Sequence, residues 1–250
     1  MMDNNLPELL KQCIEHNEPS VDIITNRLKL PWLKLNLNFS NVLDNEYVQK
    51  LQAEELSWRT TWYGTADPVR VNRSPWLGRF LFGPKNFSDF LSAVAHNEKF
   101  SKNSYDEDCQ CKFFRKDFEF EWKVDSNNKI RKWVSNLIPD CDLNIVNTYV
   151  LPPQGYVLPH TDRSYYGSGT AKIYIPVTWE AGSVFGMYGV GNIPLSSGDV
   201  FLINNYTLPH WVYNGSDSHR VVISIGANLD SPNLAVLIKE SFIKTFGINQ

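Results

Sequence analysis

From Asp142 to Ala227 the chain breaks into short apolar stretches, each ended by glycine, proline or asparagine, at intervals of roughly ten residues. Leu143 to Leu151 reads as a strand closed by Pro152, Pro153, Gln154 and Gly155. Tyr156 to Asp162 is a second strand and Ala171 to Thr178 a third. Ser183 to Val190 is glycine-rich and extended, and Gly198-Asp199 turns into Val200 to Asn204. Pro209 to Tyr213 and Arg220 to Ala227 flank an Asn214-Gly215 turn. About seven strands so spaced predict a sandwich or barrel, mainly β with flanking helices. Leu234 to Phe246 predicts a closing helix.

The preceding half is different. Residues 1–141 read as a mixed helical and loop region packing on the strands of 142–250, the whole one compact domain. The 42% hydrophobic content suffices for a sizeable core. Leu6 to Asn26 has a partly amphipathic helical pattern. Asp44 suits the N-cap of a helix from Glu46 to Trp58, whose Tyr47, Val48, Leu51 and Leu56 recur at helical spacing. Ser88-Asp89 precedes a stripe of Phe90, Leu91, Val94 and Ala95, and Ile130 to Leu137 is a further helix stopped by Pro139. Thr60 to Pro84 reads as a long ordered loop with short strands. It carries part of an aromatic and basic cluster of Trp58, Arg59, Trp62, Tyr63, Arg70, Arg73 and Trp76. Such a set can grip a carboxylate or stack on a planar group, but packing of the tryptophans with solvated arginines is the preferred reading.

Net charge of -3 and a pI near 6.0 give no electrostatic footprint for nucleic acid or an anionic membrane. The N-terminus reads as neither a signal peptide nor an anchor, and no run approaches the roughly 18 apolar residues of a membrane span. The four cysteines, Cys13, Cys109, Cys111 and Cys141, lack the spacing of a disulfide framework or a zinc site, as expected of reduced thiols in a cytoplasmic protein.

The chemistry concentrates in His160-Thr161-Asp162, His210 and Arg220. Residues i and i+2 of an extended segment share a face. An imidazole and a carboxylate there, joined by a second imidazole, make the 2-His-1-carboxylate set that holds Fe(II) and leaves positions open. A downstream arginine supplies a permanent forked cation for a carboxylate. Together they suggest an oxygenase using iron and 2-oxoglutarate. His219 competes. A two-residue loop at Asn214-Gly215 would set His210 opposite His219, and a three- or five-residue loop would set it opposite Arg220. Arg220, Val222 and Ser224 share one face and His219 takes the other, but spacing does not choose between them.

The run Leu151-Pro152-Pro153-Gln154-Gly155-Tyr156-Val157-Leu158-Pro159-His160-Thr161-Asp162 resembles the LPPGxxxPHxD segment of the aspartyl/asparaginyl β-hydroxylase-like family, which includes free-proline hydroxylases. Thr170 to Val177 resembles that family's next core strand, and Gly198 to Asn205 leads into His210 as its "GDvfxFd…H" strand does. Arg220 matches its arginine for the distal carboxylate of 2-oxoglutarate. The similarity covers roughly residues 142–228.

This resemblance implies a double-stranded β-helix, a jelly-roll, cupin-like core. It implies iron on His160, Asp162 and His210, with His219 pointing away. Where the family often has Arg-x-His, this chain has Lys172 and Tyr174, which either contact the cosubstrate or are ordinary strand residues. Family members acting on Asp or Asn in proteins replace the carboxylate with glycine. The retained Asp162 therefore points to a small-molecule substrate, such as a free amino acid, with a peptide or protein as the alternative. The expected cofactors are Fe(II), 2-oxoglutarate and O2, with ascorbate supportive. Ser164, Tyr165 and Tyr166 are placed to border the pocket or form a lid with Gly167 and Gly169. Rival readings are a non-catalytic cupin-like binding module and a zinc or manganese hydrolase or isomerase.

Overall fold

The computed structural model describes residues 30–42, 44–53, 59–60, 77–86, 119–161, 170–205, 208–229 and 231–246. The described strands are β1 (Trp32–Asn38), β2 (Arg59–Thr60), β3 (Leu77–Pro84), β4 (Phe120–Trp122), β5 (Leu143–Leu151), β6 (Tyr156–His160), β7 (Thr170–Pro176), β8 (Val184–Met187), β9 (Gly191–Asn192), β10 (Asp199–Ile203), β11 (His210–Tyr213) and β12 (Arg220–Asn228). The described helices are α1 (Asn45–Ala53), α2 (Lys129–Leu137) and α3 (Pro232–Phe246).

Two antiparallel sheets result. The larger runs β1-β10-β7-β12-β5-β3-β2 with β4 on β3, and the smaller runs β6-β11-β8-β9. Strands β5 to β12 are therefore dealt between the sheets as β5-β12-β7-β10 and β6-β11-β8-β9. That order is the double-stranded β-helix, the jelly roll in which two sheets face each other. The chain is mainly β, as its strand rhythm predicts.

Side-chain alternation shows which face each strand offers. On β12, Val221, Ile223, Ile225 and Ala227 enter a core shared with α2 and α3 on the outer side of the large sheet. Val222 enters a second core between the sheets, with Phe185, Met187, Phe201 and Val212. Arg220 and Ser224 have the parity of Val222 and face the barrel interior. Burial on both faces explains why β12 reads as an almost continuous apolar run.

The described helices pack on the large sheet. Asp44 caps α1 by accepting from the backbone N–H of Tyr47 at 2.8 Å. Asn128 caps α2, accepting from Arg131 N–H at 3.1 Å, and Ile130 and Val134 enter the core one turn apart. Leu234, Leu237, Ile238 and Phe242 give α3 its buried stripe, and the Ser241 hydroxyl accepts from Asn36 N–H of β1 at 2.8 Å.

Two sequence expectations need correction. Asn214-Gly215 is not a hairpin turn: β11 pairs with β6 and β8, whereas β12 pairs with β5 and β7. Residues 214–219 cross between sheets, so neither His219 nor Arg220 lies opposite His210. Buried Asn214 holds this crossing by donating to the carbonyls of Leu151, Pro152 and Ser218 at 3.0, 3.0 and 2.8 Å. Leu77–Pro84 is a full strand, β3, inserted beside β5. Trp32–Asn38 adds a strand at the other side, its alternating Leu33 and Leu35 turned to the outer core. The helical patterns at Leu6 to Asn26 and Ser88 to Ala95 lie outside the described residues, as do Trp58, Trp62, Tyr63, Arg70, Arg73 and Trp76. Arg59 falls on β2.

Candidate active site

His160 ends β6 and His210 begins β11, and the antiparallel register makes them direct partners. Their ring centroids lie 4.3 Å apart with planes at 48°. The half-buried His160 has Nδ1 2.7 Å from the carbonyl oxygen of Leu158. A carbonyl only accepts, so Nδ1 carries the proton and a neutral ring keeps its lone pair on Nε2, the form that ligates a metal. His210 is 3% exposed and stacks on Phe185, with centroids 5.4 Å apart and planes at 8°.

Asp162 and the lid candidates Ser164, Tyr165, Tyr166, Gly167 and Gly169 lie outside the described residues. Among the described residues no three His, Cys, Asp or Glu side chains form a metal-sized group. His219 therefore does not complete a set with His160 and His210. It stands at the sheet crossing just before β12, its carbonyl accepting from Thr178 Oγ1 at 3.2 Å. The donor chemistry and pairing of His160 and His210 fit a borderline cation such as Fe(II) at two ligand positions.

Arg220 lies at the opposite end of the interior. It is 2% exposed and among the largest fully buried side chains. Nη2 donates to the Tyr174 hydroxyl at 2.7 Å, and Nη1 donates to the carbonyls of Val184 and Tyr213 at 3.3 and 3.2 Å. The guanidinium carbon sits 4.7 Å from the centre of the Trp179 ring. Among the described residues no carboxylate pairs with it, and Nε has no hydrogen-bond partner. Burial pulls the guanidinium below its ordinary pKa, opposed by Tyr174, and an arginine so placed remains a cation. Burial also pushes the Tyr174 phenol up, against the pull of Arg220 and Lys172. A buried cation without an acid is costly unless an anion joins it.

Tyr174 and Lys172 share the interior face of β7, two residues apart. Tyr174 pairs with Ser224 and Phe201, and Lys172 pairs with Gly226 and Ile203. Phe185 links the two ends, stacking on His210 and meeting Tyr174 edge-on at 4.9 Å and 81°. A continuous line of contacts thus runs from His160 through His210, Phe185 and Tyr174 to Arg220.

Several residues of this interior were not singled out as site residues from the sequence. Phe185 and Trp179 come from the β8 strand and the turn before it. Asn147 of β5 pairs with Ser224 of β12 and donates to the Tyr149 hydroxyl at 2.8 Å. Asn147 Oδ1 and Ser224 Oγ are buried without a partner, polar atoms that a ligand or water would satisfy. Ser224 was accessible from the period-two face shared with Arg220. Phe185, Trp179 and Asn147 carry no signal that separates them from core residues.

No family model and no curated protein matches the chain. Among solved structures it is similar to an oxidoreductase of the 2OG-Fe(II) oxygenase family from Burkholderia pseudomallei, at 9% identity and a TM-score of 0.41, covering 92% of this chain and 94% of that one. It is also similar to a prolyl-4-hydroxylase from Pseudomonas putida, at 11% identity and a TM-score of 0.45, covering 90% and 99%. An uncharacterized protein with a double-stranded beta-helix domain from Klebsiella pneumoniae aligns over 36% of this chain and 70% of its own, at 13% identity and a TM-score of 0.28. All three TM-scores lie below 0.5.

Proposed function

We propose that the chain is an Fe(II)- and 2-oxoglutarate-dependent dioxygenase that hydroxylates an unactivated C–H bond of a small molecule, such as a free amino acid or a derivative. The observation that carries this is the buried Arg220, which no carboxylate pairs among the described residues, in the same barrel interior as the His160–His210 pair. A binding module with a purely structural metal has no need of an isolated buried cation at the far end of the interior.

His160, Asp162 and His210 would hold the iron, which when bound activates oxygen for hydroxylation. Arg220 binds the distal carboxylate of 2-oxoglutarate, using donors not already spent on Tyr174, Val184 and Tyr213. Tyr174 orients the guanidinium and adds a hydroxyl to the carboxylate's surroundings. Lys172, on the same strand face, contributes positive charge to that interior. Phe185 holds His210 against rotation and, with Met187 and Phe201, keeps the space between the two ends dry. Asp162 at the HxD position supports a small-molecule substrate over a protein side chain, by resemblance. Among the described residues no helix is long and apolar enough to cross a membrane, and a cytoplasmic location is proposed.

The test is a turnover screen with Fe(II), ascorbate and 2-oxoglutarate over free amino acids, peptides and nucleosides, scored by succinate. Succinate release coupled to one substrate class is expected. Absence of both succinate release and Fe(II) binding by the His160–His210 pair would sink the proposal.

A further inference from the structure

We propose that Trp179 is the floor of the Arg220 pocket and sets the length of the dicarboxylate that the pocket accepts. The inference rests on the reading that Arg220 holds the distal carboxylate of the cosubstrate.

Trp179 packs against the core between the sheets, and its ring carries the guanidinium at 4.7 Å. Trp179 also lines a cavity of about 340 Å³ with Phe39, Ser40, Val48, Thr178, Glu180 and neighbouring residues. Arg220 does not line that cavity. Trp179 therefore touches both the guanidinium and this cavity. It is held firmly. Val177 N–H and Thr178 N–H both donate to the carbonyl of Val221, at 2.9 and 3.1 Å. Thr178 Oγ1 accepts from Val221 N–H at 2.8 Å and donates to the carbonyl of His219. The segment bearing the ring is therefore tied to the start of the strand that bears Arg220.

A rigid indole in this position has two consequences. It fixes the plane of the guanidinium, since the cation prefers the ring face. It also denies an anion the space below Arg220, so a longer acid meets the ring rather than the cavity beneath it. Trp179 is a specificity and positioning residue; its contact is with Arg220.

The experiment is calorimetric binding of 2-oxoglutarate and of 2-oxoadipate, one methylene longer, to the anaerobic Fe(II)-loaded full chain. Wild type, Trp179→Ala and Trp179→Phe are compared, with thermal melting as the check on folding. The wild type should prefer 2-oxoglutarate. Trp179→Ala should shift the ratio of the two affinities toward 2-oxoadipate by about tenfold or more, the usual worth of one methylene in a closed pocket. Trp179→Phe should shift it less, in the same direction, and decides the question if Trp179→Ala does not fold. An equal loss of affinity for both acids, or an unchanged ratio, overturns the floor while leaving the proposed function standing. If the wild type binds neither acid, the proposed function fails and the floor with it.

Discussion

The two ends of the barrel interior are built on opposite plans. At the Arg220 end the reactive group is fully buried and anchored. Three hydrogen bonds, an aromatic face and a segment tied to β12 hold the guanidinium. At the histidine end two side chains meet where β6 finishes and β11 starts, and His160 is only half-buried. One end is a socket of fixed geometry and the other is an edge where strands stop. An enzyme that must hold one ligand in a constant register while admitting another gains from that division. On the proposed function, the fixed end would set where the cosubstrate lies and the edge would leave room for substrate.

The largest effect should come from the edge. His160→Ala or His210→Ala should abolish succinate release and iron binding together, measured by turnover and by metal content. Retained turnover in either variant would show that these histidines are packing residues. At the socket, Arg220→Ala should raise the requirement for 2-oxoglutarate on the order of 10²-fold, from the 2–5 kcal/mol that truncating one member of a buried charge pair costs. Its affinity for Fe(II) should change little. Equal loss of iron and cosubstrate binding would break the distinction between the ends.

Tyr174→Phe leaves a buried guanidinium N–H without its acceptor, at a cost of about 1–3 kcal/mol. It should raise the KM for 2-oxoglutarate about tenfold and leave kcat nearly intact. The smallest effect is one of pH. Burial raises the Tyr174 pKa, so the folded chain resists its ionisation. The stabilisation is complete below the ordinary tyrosine value of about 10 and is lost as pH rises from there through the raised folded value. The thermal midpoint should fall more steeply between about pH 9 and 11 in the wild type than in Tyr174→Phe. Identical slopes would mean that the phenol is open to water and the socket is less closed than its contacts indicate.

The strands of the second half were legible because their signal is local. Leu143 to Leu151 is found with its predicted bounds, and Ala171 to Thr178, Val200 to Asn204 and Arg220 to Ala227 within a residue or two. The helix at Ile130 to Leu137 was legible for the same reason, with Pro139 as its stop, and the structure adds Asn128 as its cap. β1 was overlooked although Leu33, Leu35 and Leu37 alternate with polar residues, a short pattern in a region otherwise read for helices. β3 lies in a stretch that reads as a long loop with short strands, since Gly78, Gly83 and Pro84 are turn residues, and its place beside β5 makes it a full strand.

The sequence by itself determined which residues could carry chemistry and which face of its own strand each would take. Period two is a steric property of the extended backbone, and it alone sets Arg220, Val222 and Ser224 against Val221, Ile223 and Ile225. Only the tertiary structure decided which faces meet. The assignment of β11 and β12 to different sheets removed the hairpin on which the rivalry of His219 depended. It set His210 beside His160, slid Phe185 between the histidines and Tyr174, and put the Trp179 ring under Arg220. Those contacts join segments whose own patterns are ordinary core patterns. Pairing partner and register depend on what the rest of the chain buries, and no strand specifies that alone.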